Sequence, residues 1–172
     1  FTWDDYQQWP EGQRWEIIGG EVYDVSPSPT TRHQRVSAKL TEALQARLRG
    51  KKCELFYAPM DVKLSDLDII QPDLLIVCDP DHVKRTHIAG APQLVIEILS
   101  PTSTAHDRLR KTRLYEHFGV TEYWIVTPHP SLVEVFVLDG KSYRLHGVFG
   151  KEDTLSSATF PDWKLALAGI FD

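Results

Sequence analysis

The sequence predicts a single α/β domain, residues 1–172, with a mixed β-sheet flanked by helices and an N-terminal β-hairpin. Three observations predict it. Short β-prone apolar runs recur along the chain, two segments between them carry apolar residues at helical spacing, and no repeat, linker or low-complexity stretch divides the whole. A hydrophobic content of 42% over 172 residues suits one substantial core.

Trp15-Glu16-Ile17-Ile18 and Glu21-Val22-Tyr23-Asp24-Val25 flank Gly19-Gly20, the pattern of a hairpin. Ser26-Pro27-Ser28-Pro29 ends it, and Thr30 or Thr31 caps a helix whose apolar positions are Val36, Leu40, Leu44 and Leu48. His33 falls on the same stripe, one turn earlier. Leu55 to Leu64 reads as extended, and a polar turn near Ser65 to Asp68 leads into Gln71-Pro72-Asp73 and the apolar run Leu74 to Val77, a central strand. A polar loop, Asp79 to Ala91, separates that strand from the next, Leu94 to Leu99. Ser100 to Thr104 then caps a helix through Phe118, which Gly119 stops. Glu122 to Val126 is a further strand, Val133 to Leu145 a hairpin turning at Asp139-Gly140, and the apolar tail Phe160 to Phe171 docks on the body.

A formal net charge of −5 gives no global attraction to nucleic acid, although Arg108, Arg110 and Arg113 form a local cationic run suited to phosphate contact. Two cysteines, Cys53 and Cys78, are too few for a disulfide framework. With no signal peptide or long apolar span, a reduced cytoplasmic protein without membrane attachment is expected. Cys78, His82 and His87 have a spacing that three zinc ligands share, but the histidines lie in a polar loop and a fourth ligand is missing.

One residue breaks the apolar strand Leu94 to Leu99: Glu97. A carboxylate held away from water costs several kcal/mol unless protonated, paired or metal-bound, so a partner is expected. Asp73 begins one buried strand and Glu97 lies near the end of the next; if these are antiparallel neighbours, the two acids meet at one sheet edge. Close carboxylates repel and attract a cation, and hard oxygen ligands suit magnesium or manganese. On the following helix, stepping back by turns from Leu114, Tyr115 and Phe118 reaches Lys111 and then Asp107, so an ammonium group is aimed at Glu97. Two acids and a lysine converging on a metal are the pattern of phosphodiester hydrolysis.

These residues, with Trp15 to Glu21, Ser26-Pro27, His33-Gln34, Gln71-Pro72-Asp73, Val95 to Ser103, Asp107 with Lys111 and Tyr115, and Gly119-Val120 with Glu122 to Val126, resemble the Uma-two family of endonucleases, in the restriction-endonuclease-like PD-(D/E)XK superfamily. The resemblance implies a four-stranded mixed sheet flanked by helices, Asp73 and Glu97 as metal ligands, and Glu16 as an additional acid near the site. It departs at one position: the usual lysine, two residues after the glutamate, is replaced by Leu99, which points again to Lys111. A homodimer acting on DNA is also implied. The expected function is therefore a magnesium- or manganese-dependent endonuclease with Asp73, Glu97 and Lys111 catalytic and Glu16, His33 and Asp107 supporting. The alternative is a non-catalytic nucleic-acid or protein interaction domain on the same fold.

Overall fold

A computed structural model describes residues 1–25 and 29–171 of the chain. The expected chain break at Ser26-Pro27-Ser28 lies outside the described residues. In chain order the elements are α1 (Trp3–Tyr6), β1 (Trp15–Ile18), β2 (Glu21–Asp24), α2 (Thr31–Leu48), β3 (Glu54–Tyr57), β4 (Val62–Ser65), β5 (Asp68–Ile70) and β6 (Leu74–Val77). After a short 3-10 turn come β7 (Ile88–Ala89), β8 (Leu94–Ile98), α3 (Ala105–Phe118), β9 (Glu122–Thr127), β10 (Leu132–Asp139), β11 (Ser142–Gly150), β12 (Thr154–Ser156), β13 (Lys164–Ala166) and α4 (Ala168–Phe171).

The central sheet has six strands, ordered β11-β10-β9-β8-β6-β3, which enlarges the expected four-stranded core. It is mixed: β8 and β9 run parallel, joined through α3, while β6 and β8 are antiparallel with Leu74 opposite Ile96. Alternate residues of the buried strands face opposite sides. Leu74, Ile76, Leu94 and Ile96 pack with Val36, Leu40 and Leu44 of α2, whereas Leu75, Val77, Val95 and Tyr123 pack with Leu114 and Tyr115 of α3. The two long helices therefore cover opposite faces, and both reach the edge where β6 begins and β8 ends. The tail closes the α2 side through Trp163, Leu165, Leu167 and Ile170.

The N-terminal hairpin does not stand alone. It extends into a five-stranded sheet, β2-β1-β5-β4-β7, through pairing of Ile17 with Ile69. Three expectations change. The extended run from Leu55 to Leu64 divides into β3 and β4, which join different sheets. The polar loop Asp79 to Ala91 contains β7, which pairs parallel with β4. Cys53 and Cys78, expected as reduced thiols, are joined in a disulfide, because the β3–β6 register sets Glu54 opposite Val77 and so brings the preceding and following cysteines together. That bond also removes Cys78 from any zinc site. No helix among the described residues is long and apolar enough to cross a membrane.

Candidate active site

Glu97 has the partners its position demands. The side chain is 16% exposed, and Lys111 Nζ donates to Oε1 at 3.1 Å. Tyr115, one turn after Lys111 on α3, donates its hydroxyl to the same oxygen. Lys111 Nζ also donates to Glu16 Oε1 at 2.6 Å, and Glu16 is only 4% exposed. Glu16 reaches this point because β1 pairs with β5; Gln71, the residue directly after β5, donates its N–H to the same Glu16 oxygen at 2.8 Å. One ammonium group thus bridges two buried carboxylates from different sheets.

Asp73 closes the other side. Its Oδ2 accepts from the Ile98 N–H at 2.7 Å, a cross-strand contact set by the β6–β8 register, and its Oδ1 lies 3.2 Å from His33 Nε2. His33 comes from the first turn of α2, where Thr30 caps the helix by accepting from the His33 N–H at 3.1 Å. Its Nδ1 is buried with no hydrogen-bond partner among the described residues, which suits a ring carrying its hydrogen on Nε2, donated to Asp73.

The electrostatics follow from this crowding. Burial pushes the Glu97 carboxyl up, the Asp73 and Glu16 charges add to that, and Lys111 and Tyr115 oppose it; the result is a pKa of about 7. Burial alone would lower the Lys111 pKa, but Glu16 and Glu97 outweigh it and raise it, so this group is an ammonium donor rather than a base. Burial likewise opposes His33 protonation, yet the hydrogen bond and charge of Asp73 raise its pKa above the usual histidine value.

Asp73, Glu97, Lys111, Glu16 and His33 line one cavity of about 160 Å³, which Arg14 and Gln71 also border. The donors suit a hard divalent ion: two carboxylates face the same small space, and the charge of Asp73 pushes Glu97 toward protonation, a frustration that a cation relieves. Among the described residues no three His, Cys, Asp or Glu side chains form a cation cage by themselves. Magnesium does not require one, since it keeps several waters and takes one or two carboxylates plus substrate phosphate oxygens.

Asp107 is placed elsewhere. Its carboxylate accepts from the Thr104 hydroxyl at 2.7 Å in the capping box of α3 and from Arg110 at 3.0 Å, and it does not line the cavity. Arg108 is paired with Glu134 at 3.0 Å, and Arg110 also sits 4.0 Å from the centre of the Tyr23 ring, so two of the three expected phosphate-contacting arginines already have partners. His82 faces Asp79 at 3.6 Å and His87 packs on Trp3, so no zinc set forms with Cys78. Tyr115, Gln71 and Arg14 belong to the site without having been singled out for it. The signal for Tyr115 was its spacing of four from Lys111; Gln71 stood in the Gln-Pro-Asp motif.

A family model described as "putative restriction endonuclease", Uma2, matches residues 3–168. The chain belongs to the Uma2 family. Within the curated proteins, this Uma2 chain is 30% identical over 132 residues to an uncharacterized protein of Synechocystis sp., covering 75% of this chain and 69% of that one. Among solved structures, a protein from Anabaena variabilis described as a putative nuclease belonging to DUF820 superposes with a TM-score of 0.81 at 19% identity, covering 99% of this chain and 97% of that one. The Uma2 fold expected from the sequence, a mixed sheet flanked by helices, is the fold observed.

Proposed function

We propose that this Uma2 protein is a magnesium- or manganese-dependent endonuclease that hydrolyses DNA phosphodiester bonds, with Asp73 and Glu97 as the metal ligands. The observation that carries this reading is Lys111 Nζ held 3.1 Å from Glu97 in the cavity that Asp73 shares. Family membership supports it.

When bound, a divalent ion supplies positive charge against a phosphate oxygen and makes a neighbouring water more acidic. The chain's own residues do the rest. Glu16 holds Lys111 on one side and Glu97 on the other, so its ammonium presents its remaining hydrogen to the attacking water or to a phosphate oxygen. His33 and the Ile98 N–H fix both oxygens of Asp73 and set its orientation. Tyr115 fixes Glu97 in the same way. Water attacks phosphorus and gives up a proton to solvent, the P–O bond to the leaving strand breaks, and the leaving oxygen gains a proton from solvent, so that one water is consumed and no net proton is left over.

A homodimer, with two sites addressing two strands, completes the proposal. One observation favours a second reading, a non-catalytic interaction domain: Lys111 is already satisfied by two carboxylates, as in a structural ion network. Titration calorimetry with manganese separates the two. The nuclease reading expects one site that is lost in Asp73→Asn and in Glu97→Gln; a parent protein with no manganese binding at millimolar concentration supports the ion network instead.

A further inference from the structure

A second cavity adjoins the first. It is a groove of about 640 Å³, within the range of roughly 300–1,000 Å³ that accommodates organic ligands, and it shares Arg14 and Gln71 with the catalytic cavity. Three of the chain's five tryptophans, Trp3, Trp9 and Trp15, line it together with Tyr6. None of these rings is in the buried core; all are half-buried at the groove wall. They support one another, with Trp9 in edge contact with Tyr6 at 5.4 Å and with Trp15 at 5.0 Å between ring centres.

The groove is tied directly to the catalytic residues. Gln71 donates its side-chain amide to Tyr6 Oη at 3.1 Å and to Asp61 at 2.8 Å, accepts from Arg14 Nε at 3.1 Å, and donates its backbone N–H to Glu16. These contacts hold the Arg14 guanidinium at the passage between the two cavities. Asp61, the buried-side acid of the groove, is occupied by Tyr6 and Gln71. On the outer rim, Thr86 borders the groove and the exposed Lys84 and Arg85 precede it in the same turn.

Aromatic walls beside cationic groups are what an unpaired nucleic-acid strand requires, since a free base offers its flat face for stacking and a duplex does not. We propose that this groove binds an unpaired stretch of the DNA substrate, its bases stacking on the tryptophan wall and its backbone passing Lys84, Arg85 and Arg14 on the way to the catalytic cavity. The proposal rests on the nuclease reading and narrows its substrate to DNA with a single-stranded segment beside the cleaved bond.

The test measures binding in chelator, where cleavage is off, by tryptophan fluorescence and by anisotropy of labelled oligo-dT and of its oligo-dT·oligo-dA duplex. The single strand should quench tryptophan emission and bind more tightly than the duplex. Trp9→Ala should weaken single-strand binding by about tenfold and leave duplex binding unchanged, while Trp9→Phe retains most of it. Replacing the exposed Lys84 and Arg85 by glutamine, a change that does not threaten folding, should lower the slope of log affinity against log salt. Equal affinity of the parent for single strand and duplex overturns the proposal. So does a Trp9→Ala protein that loses both affinities in parallel with its melting temperature, because the rings then only fasten α1 to the body. Magnesium-dependent cleavage on the same proteins keeps the two readings apart: cleavage without single-strand preference removes the groove, and single-strand preference without cleavage removes the nuclease.

Discussion

Lys111→Met keeps the length of the side chain and deletes its charge. In the metal-free protein this strips the bridging ammonium from Glu16, 4% exposed, and Glu97, 16% exposed, at contacts of 2.6 and 3.1 Å. Removing one partner of a buried ion pair costs about 3–5 kcal/mol, because the remaining charge is left uncompensated. Glu97 limits that cost by taking up a proton. Its pKa, about 7 with Lys111 present, rises further once the attraction of the ammonium is gone. Near pH 8 the expected loss is about 3 kcal/mol, which for a domain of this size corresponds to a melting temperature lower by roughly 6–12 °C. Near pH 5.5 Glu97 is protonated in both proteins and the loss should fall to about half. Melts followed by circular dichroism in chelator at the two pH values measure this. A decrease of less than about 2 °C near pH 8, or a larger decrease near pH 5.5, would refute the ion-bridge argument. Manganese should recover part of the loss, since a cation held by Asp73 and Glu97 offsets the charge left on Glu97.

The remaining predictions use the same melts. In chelator, the folded-state Glu97 pKa of about 7 exceeds the ordinary glutamate value of 4.5, so its protonation favours the fold; this contribution is complete below about pH 4.5 and is lost as pH rises through 7. Glu97→Gln should flatten that decline, matching the parent in acid and exceeding it by about 3 kcal/mol near pH 8, with little response to manganese; a much less stable variant at both pH values would make Glu97 a structural partner. Glu122 is fully buried and accepts from Trp124 Nε1, the Ser157 hydroxyl and the Ala158 and Thr159 N–H groups, so Glu122→Ala should cost about 2–4 kcal/mol while leaving the manganese response of the folded protein intact. A reductant should lower stability by about 3 kcal/mol by opening the Cys53–Cys78 link across 25 residues, and thiol labelling of the untreated protein should find no free cysteine.

The heart of the site was legible because it depends on local periods. Strand polarity placed Asp73 beside Glu97, and the helical repeat aimed Lys111 at them. The same repeat misled for Asp107: one further turn back from Lys111 is the start of α3, where capping of Thr104 and contact with Arg110 hold the carboxylate away from the cavity. Glu16 was reachable only through family resemblance, since its contact with Lys111 depends on β1 pairing with β5 across 49 or more residues of chain, as Gly19 N–H to Asp68 also shows. Tyr115 was hidden by its own chemistry. Its ring is fully buried and reads as core, while its hydroxyl serves Glu97. The disulfide needed the β3–β6 register, which composition does not contain. The aromatic groove was invisible for a related reason: Trp3, Trp9 and Trp15 look like core residues until the half-buried wall they share is seen.

The most direct test of the central claim is the initial rate of strand cleavage for parent and Asp73→Asn on a DNA substrate containing both duplex and single-stranded segments, with magnesium, with manganese and with chelator. Asp73→Asn preserves the shape of the side chain and one accepting oxygen, enough for the Ile98 N–H, while it gives up the charge facing His33 and weakens the metal's hold on the site. The account predicts cleavage by the parent that needs a divalent ion and falls by about a hundredfold or more, roughly 2.7 kcal/mol in the barrier, in the variant. Cleavage that persists in chelator, or that is the same in Asp73→Asn as in the parent, would contradict it.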